Sequence, residues 1–581
     1  MSIDIETYRL KAQEAIEYVF VKEYHNSLGI PMPIVKMLLP DDANYSTGQY
    51  YITIDKTWQI HLNFGKLPIS YHEFQNEVKV LTRHEIEHYM CCPFDVITHF
   101  RMLKRIRDVY YKHFSHLGIN IEYACGAISN QAADIIVDTK NYYRHSKETL
   151  KSEVDWIKIG ANISACPRHC KLMFLTKEAI WKEDLGINET DPEFLKIVHQ
   201  LADSFTKNGI EDKSSFLDKV EEYAEIFFKL YVEDQKNPQQ SSQQGSQQQS
   251  GQQGSQQQSG QQGPQQQNGQ QGSQQQSGQW GVGRPKDGDE HGNAFVFADP
   301  DKVKEAIEVL AEETSVEEFI DLLAIAGIIG MSDKQKGVLW FNVQSANIIP
   351  IVEFSNTGNK SSYTYPSVWR IGDPIEELDL MLTYMTSPRL IPGMTTKKWE
   401  YVSNDDNGTE SKQMDLLLVV DTSGSMGSAM KESANMHQAV LASYGILSYF
   451  ESTKSKVAFI GFSDKIDAYV DWSDKYDDVR ERLLTNGHGG TKFPISRIKS
   501  TLDVRSRDLV TVLITDGDLG NINESVSYFR DYLNDDNKLY IFLLGGSKSL
   551  HSYEPLKNIG AKIYNANNAN EFCDMVLTDM E

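Results

Sequence analysis

Between Gln239 and Gln279 the chain reads QQSSQQGSQQQSGQQGSQQQSGQQGPQQQNGQQGSQQQSGQ, with no charged side chain and, Pro264 apart, no apolar one. Such a stretch cannot bury enough apolar surface to offset the entropy of ordering it, so any folding has to take place on either side. The repeating unit QQQSGQQGS marks low complexity rather than a solenoid repeat, and its Gly and Ser residues interrupt the glutamine runs that would favour cross-β stacking. As a flexible coil the tract has a root-mean-square reach of roughly 35 Å. The sequence therefore predicts a multidomain chain: an N-terminal domain over 1–238, a disordered Gln/Ser/Gly-rich linker over 239–298, a connector over 299–412 and a C-terminal domain over 413–581. A length of 581 residues agrees with several cores rather than one.

The N-terminal region reads mostly helical. YHEFQNEVKVLTRHEIEHYM, NQAADIIVDTKNYYRH and SSFLDKVEEYAEIFFKLYVED each place apolar residues at helical spacing. A short strand pair is expected in GQYYITIDKTWQIHLNF, where β-branched and aromatic residues cluster. The first helical stretch contains His84-Glu85-Ile86-Glu87-His88, a match to H-E-x-x-H. A helix puts residues four apart on one face, so His84 and His88 aim at one ion with Glu85 beside it. The bland alternative is a helix in which Arg83 and Glu87 make ordinary local pairs. The apolar flanks VKVL and YMCCPF favour burial, and buried histidines beside glutamates need a reason. A zinc peptidase also needs a third protein ligand and an open position for water. No third histidine follows at metzincin spacing. Asn130, Asp134 and Asp138 in NQAADIIVD share one helix face, which makes Asp134 the candidate third zinc ligand and Asp138 the alternative. His99, His113 and His116 are nearer in sequence but have basic, irregular flanks. Cys166, His169 and Cys170 offer donors for a separate zinc site.

From Met414 onwards the pattern changes. DLLLVVD, KVAFIGF, LVTVLITD and KLYIFLLGG are continuous apolar runs alternating with amphipathic segments, and AKIYNAN adds a last strand. This predicts a doubly wound α/β domain with a parallel sheet covered on both faces. The first strand ends in Asp421-Thr422-Ser423-Gly424-Ser425, the third in Thr515-Asp516, and Thr491 lies in the Gly-rich loop GHGGTKF. Ligands of such sheets bind at the carboxyl ends of strands. Hard oxygen donors gathered there suit Mg²⁺. The set Asp421, Ser423, Ser425, Thr491 and Asp516 resembles the metal-ion-dependent adhesion site of von Willebrand factor A (VWA) domains, over roughly Met414 to Glu581. That resemblance implies a magnesium ion held by hydroxyls and carboxylates, with an open position for a Glu or Asp of a protein partner. No Walker A motif is present, so a nucleotide site is not expected.

The pairing of HEIEH with NQAAD resembles the metallopeptidase-like domain found ahead of VWA-like domains in bacterial and archaeal proteins, over about Ile16 to Asp138. It implies a zincin-like N-terminal fold, zinc on the two histidines and Glu85 as general base. Many gluzincins carry Glu where Asn130 stands; Asn is a poor zinc ligand, so either Asp134 takes over the third position or the site is weakened. The same resemblance implies a MoxR-type AAA+ ATPase as partner. Two readings follow: a zinc metallopeptidase tethered to a magnesium-dependent binding module, or a non-catalytic adaptor that works with such an ATPase. The net charge of −24 disfavours a phosphate backbone as ligand, so no nucleic-acid partner is expected. The N-terminus lacks a signal-peptide pattern, FIDLLAIAGIIGM is too short to span a bilayer, and six cysteines in this length suit reduced thiols. A cytoplasmic protein without membrane partners is the expectation.

Overall fold

In the segment Ser70-Tyr71-His72-Glu73, Ser70 is an N-cap: its Oγ accepts from the Glu73 amide at 3.2 Å and donates to Glu73 Oε2 at 3.1 Å. It starts the helix that carries HEIEH. A computed structural model of the chain describes residues 5–28, 30–42, 50–54, 59–64, 70–159, 163–236, 300–328, 331–346, 363–369, 397–402, 414–505, 508–517, 519, 521–535, 537–544 and 550–566. The expected linker over 239–298 and most of the later part of the connector lie outside these residues. The chain divides into two compact units, Met1–Glu313 with Ile320–Gly330, and Thr314–Phe319 with Met331–Glu581.

The first unit is mostly helical. Helix α1 (Ile5–Glu17) precedes a small sheet of β1 (Ile34–Met37), β2 (Tyr50–Ile54) and β3 (Gln59–Phe64), in which β3 pairs parallel with β1 and antiparallel with β2. Then come α2 (Tyr71–Met90), α3 (Val96–Val109), α4 (Ile121–Ile159), α5 (Arg168–Trp181), α6 (Pro192–Thr206), α7 (Phe216–Lys236) and α8 (Pro300–Glu313). Phe74, Val78 and Ile86 of α2 join Ala12 and Ile16 of α1 and Ile60 and Leu62 of β3 in one apolar cluster. The last part of α2 has no polar face left, because every residue from Thr82 to His88 is buried. Two of its charges, Arg83 and Glu87, are matched from other elements. Arg83 is held by Glu23, at 2.6 Å, and by Glu148. Glu87 takes Lys140 at 2.8 Å, Arg144 at 2.9 Å and the Tyr24 hydroxyl at 2.9 Å. These are long-range ties that lock α2 against α4, not the local pairs of a surface helix. Helix α4 breaks at His145, where φ is −136° and ψ 49°.

The second unit holds a six-stranded sheet of β6 (Asp415–Asp421), β7 (Val457–Phe462), β8 (Ile466–Ser473), β9 (Leu509–Thr515), β10 (Lys538–Leu544) and β11 (Lys562–Ala566). A separate two-stranded pair precedes it, β4 (Tyr363–Val368) with β5 (Lys397–Val402). The sheet order is β11-β10-β9-β6-β7-β8, parallel throughout except for the edge strand β8. Its central strands are buried along their whole length, as parallel strands covered by helices must be. Helix α9 (Val316–Ile325) and α10 (Asp333–Ala346) precede the sheet, and α11 (Asn435–Ser452), α12 (Tyr476–Leu483), α13 (Ile495–Leu502), α14 (Val526–Asn534) and α15 (Leu550–Lys557) lie between its strands. Leu417 and Val419 pack with Ile498 of α13, Phe529 of α14 and Leu556 of α15, while α11 rests on β6 outside that cluster. The connector is not inert: Trp340 and Phe341 of α10 pack against His437 of α11 at centroid distances of 5.3 and 5.2 Å. Among the described residues, no helix is long and apolar enough to cross a membrane.

Candidate metal centres

His84 and His88 lie one turn apart on α2, and Asp134 faces them from α4. His84 Nε2 is 3.0 Å from His88 Nε2, and Asp134 Oδ1 is 3.4 Å from the first and 3.2 Å from the second. Tetrahedral zinc with bonds of about 2.0–2.1 Å holds its ligand atoms roughly 3.3 Å apart. The three donors therefore already stand at zinc spacing. Among the described residues they are the one group of three or more His, Cys, Asp and Glu side chains with ligand atoms within 4.8 Å of one another.

The other atom of each donor is occupied. His84 Nδ1 is 2.6 Å from Asp138 Oδ1, and His88 Nδ1 is 2.8 Å from the Cys92 carbonyl oxygen. Asn130 Nδ2 donates to Asp134 Oδ2 at 3.0 Å. Partners of this kind fix the tautomer and ring orientation of metal-binding histidines. Asp138, the alternative ligand, thus orients His84 instead, and Asn130 orients Asp134. Asp134 Oδ1, the oxygen aimed at both histidines, is buried without a hydrogen-bond donor. So is Glu85 Oε1. Burial pushes the His84 imidazole down, but the neighbouring Asp138 and Asp134 carboxylates outweigh it and the net shift is well up. For Asp134, the adjacent His84 and His88 imidazoles outweigh burial and hold the carboxyl well below the usual range.

The other histidines do not join this group. His99 is buried on α3, and burial, aided by the nearby His88, pushes it down to about 4. Cys166, His169 and Cys170 form no cluster of ligand atoms, so the second zinc site offered by the sequence is not assembled. His169 instead directs Nδ1 to Asp234 at 2.8 Å, and Arg168 Nε donates to the same carboxylate at 2.9 Å. Burial raises the Asp234 pKa, but His169 and Arg168 outweigh it and the net shift is down. A depressed carboxylate stabilises the fold above its unfolded pKa. That contribution is lost as pH falls through the folded pKa, because the unfolded chain takes up the proton first. Asp234→Asn is accordingly expected to lose stability less steeply than the native chain between about pH 5 and pH 2. Urea unfolding across that range checks it, and parallel curves would rule it out.

In the second unit β6 is the switch point of the sheet: the chain leaves it for β7 on one side and later returns to β9 on the other. Ligand crevices of open α/β sheets form at such points. Asp421 ends β6, and its Oδ1 accepts from the Ser423 amide at 2.9 Å. Its Oδ2 accepts from Thr515 Oγ1, at the end of β9, at 2.7 Å. Ser423 Oγ is 3.2 Å from Ser425 Oγ, which donates to Asp516 Oδ1 at 3.1 Å. Asn435 Nδ2 donates to Asp516 Oδ2 at 3.3 Å. The Gly-rich loop comes alongside through a bond from the Gly424 amide to the Gly489 carbonyl oxygen at 3.3 Å, with Gly489 at φ +115°, where glycine is favoured. Thr491 lies two residues further along that loop, and its side chain makes no hydrogen bond to the other four residues. Burial raises the Asp421 carboxyl pKa, the bonds from Ser423 and Thr515 oppose this, and the charge of Asp516 adds to it. Two carboxylates and two hydroxyls on one crevice, with Ser425 exposed and Asp421 buried, fit a hard divalent cation with one open side.

Sequence reasoning did not find Thr515, Asn435, Cys92, Lys177 or Glu153. No family model matches the chain, and no curated protein is detectably similar to it. One solved structure that it resembles is that of the conserved hypothetical protein BatB from Bacteroides thetaiotaomicron, at 13% identity over 29% of this chain and 97% of that one. With a TM-score of 0.25 the likeness defines neither fold nor function.

Proposed function

We propose that the first unit is a zinc-dependent metallopeptidase and the second a magnesium-dependent, VWA-like module that binds a protein partner through an acidic side chain. The observation that carries the zinc reading is the set of separations 3.0, 3.2 and 3.4 Å among His84 Nε2, His88 Nε2 and Asp134 Oδ1. Zinc, when bound, would acidify a water and polarise a peptide carbonyl. Asp138 and the Cys92 carbonyl hold the two imidazoles with Nε2 towards the cation, and Asn130 steadies Asp134. Glu85 Oε1 is a buried acceptor with no donor, a costly arrangement unless a water or a substrate group meets it. That fits a general base taking a proton from the attacking water. In the second unit, Asp421, Ser423, Ser425, Thr491 and Asp516 are the proposed magnesium ligands. The partner is proposed to be a protein offering Glu or Asp, a MoxR-type AAA+ ATPase in the closest form of this reading.

A second reading has its own support. The three zinc donors are all buried, and closed sites are characteristic of structural zinc, whereas catalytic sites keep an open position. On that reading the zinc organises α2 and α4, and the chain is a non-catalytic adaptor acting through its second unit. Chelation separates the two. A peptidase is expected to lose hydrolysis of an unfolded protein substrate on zinc removal and to regain it with one equivalent of Zn²⁺. Hydrolysis that survives complete zinc removal would defeat the metallopeptidase reading. A chain that holds zinc but never cleaves would favour the adaptor.

A further inference from the structure

Asp138 is gripped from two sides. Its Oδ1 meets His84 Nδ1 at 2.6 Å, and its Oδ2 accepts from Lys177 Nζ at 2.7 Å. The same ammonium donates to Glu153 Oε1 at 2.7 Å. Asp138 and Glu153 both belong to α4, and fifteen residues of straight helix would separate them by about 22 Å. A shared donor keeps the two oxygens no more than twice 2.7 Å apart. The break at His145 makes this possible by folding the second limb of α4 back towards the first. Lys177 reaches in from α5 with its side chain 2% exposed. A fully desolvated ammonium is a costly way to fill a core, where Leu or Met would pack as well without the desolvation penalty.

We propose that Lys177 is a positioning residue for the metal centre: it clamps Asp138 so that His84 donates its Nδ1 proton there and turns Nε2 to a divalent cation. The proposal rests on the zinc reading of His84, His88 and Asp134. Lys177 does not touch the cation. Its Nζ, 2.7 Å from Asp138 Oδ2, holds that carboxylate in place, and Glu153 holds the ammonium from the far side of the α4 break.

The test uses the full chain, with zinc affinity from chelator competition and the visible absorption of the Co²⁺-substituted protein as readouts. Lys177→Met is expected to weaken zinc binding by roughly 10–100-fold and to alter the cobalt spectrum, as loss of a partner behind a ligand does. Asp138→Asn should do the same. The double variant should be little weaker than Asp138→Asn alone, because both act on one contact. Since Lys177→Met strands two carboxylates, Lys177→Met/Glu153→Gln is measured beside it, with circular dichroism reporting the fold. Folded Lys177 variants with native affinity and an unchanged cobalt spectrum would overturn the proposal. So would losses that add in full to those of Asp138→Asn, or unfolding of both Lys177 variants, which would mark the lysine as merely structural. A native chain that takes up neither zinc nor cobalt overturns the zinc reading itself, a result distinct from all of these.

Discussion

His84→Ala is expected to take bound zinc from one equivalent per chain to none, with magnesium binding at the second unit unchanged. The reason lies in how few donors there are. Three protein atoms converge, and His84 Nε2 is within 3.4 Å of both others, so its loss leaves one histidine and one carboxylate from different helices. Two donors do not compete with water for zinc at ordinary concentrations. The variant also removes the partner of Asp138 Oδ1, so some loss of thermal stability should accompany the loss of metal. Elemental analysis of the purified full chain, native and variant, decides the matter. Equal zinc in the two would place the metal elsewhere, or nowhere, and end the assignment.

Glu85→Gln carries the second large effect and separates enzyme from adaptor. Glutamine keeps the size of the side chain and removes the base. Glu85 is buried and is not one of the three converging donors, so zinc content should stay at the native level. Hydrolysis should fall by roughly 10²–10⁴-fold, the usual contribution of a positioned proton acceptor. Asp421→Ala is the matched control at the other site. It removes the carboxylate that ties β6 to β9 through Thr515, and should abolish magnesium-dependent capture of the partner while leaving zinc in place. If Glu85→Gln is silent in hydrolysis and in a cellular phenotype while Asp421→Ala loses function, the adaptor reading stands and the peptidase reading falls.

Much of this is legible in the amino-acid sequence. The uncharged tract from Gln239 to Gln279 cannot itself form a core, because it has nothing to bury, but the compact units do not part there: residues 300–313, beyond the tract, belong to the first unit. The period of the apolar residues separates a helical first part from a sheet of buried strands in the second. Spacing of four places His84 with His88, and Asn130 with Asp134 and Asp138, on two helix faces, since the helical repeat alone puts such residues in line.

Local pattern, however, carries no information on which face meets which. That Asp134 rather than Asp138 completes the cluster was settled by the packing of α4 on α2, which brings Asp134 Oδ1 to both Nε2 atoms and leaves Asp138 behind His84. Arg83 and Glu87 read as local pairs because only neighbours are visible in sequence, whereas their partners Glu23, Lys140, Arg144 and Glu148 are distant along the chain. Cys166, His169 and Cys170 had the composition of a zinc site but not its convergence, because Asp234 of α7 claims the His169 ring. Glu153 shares the Lys177 ammonium with Asp138 only because α4 breaks at His145, a bend that no residue type there dictates. The sequence by itself determined the secondary-structure class of each part and which side chains share a face, since these follow from composition and from the repeat of a helix or strand. The tertiary structure alone decided that Asp134 joins the two histidines, which partners orient them and how deeply the cluster is buried, because these depend on contacts between residues far apart in the chain.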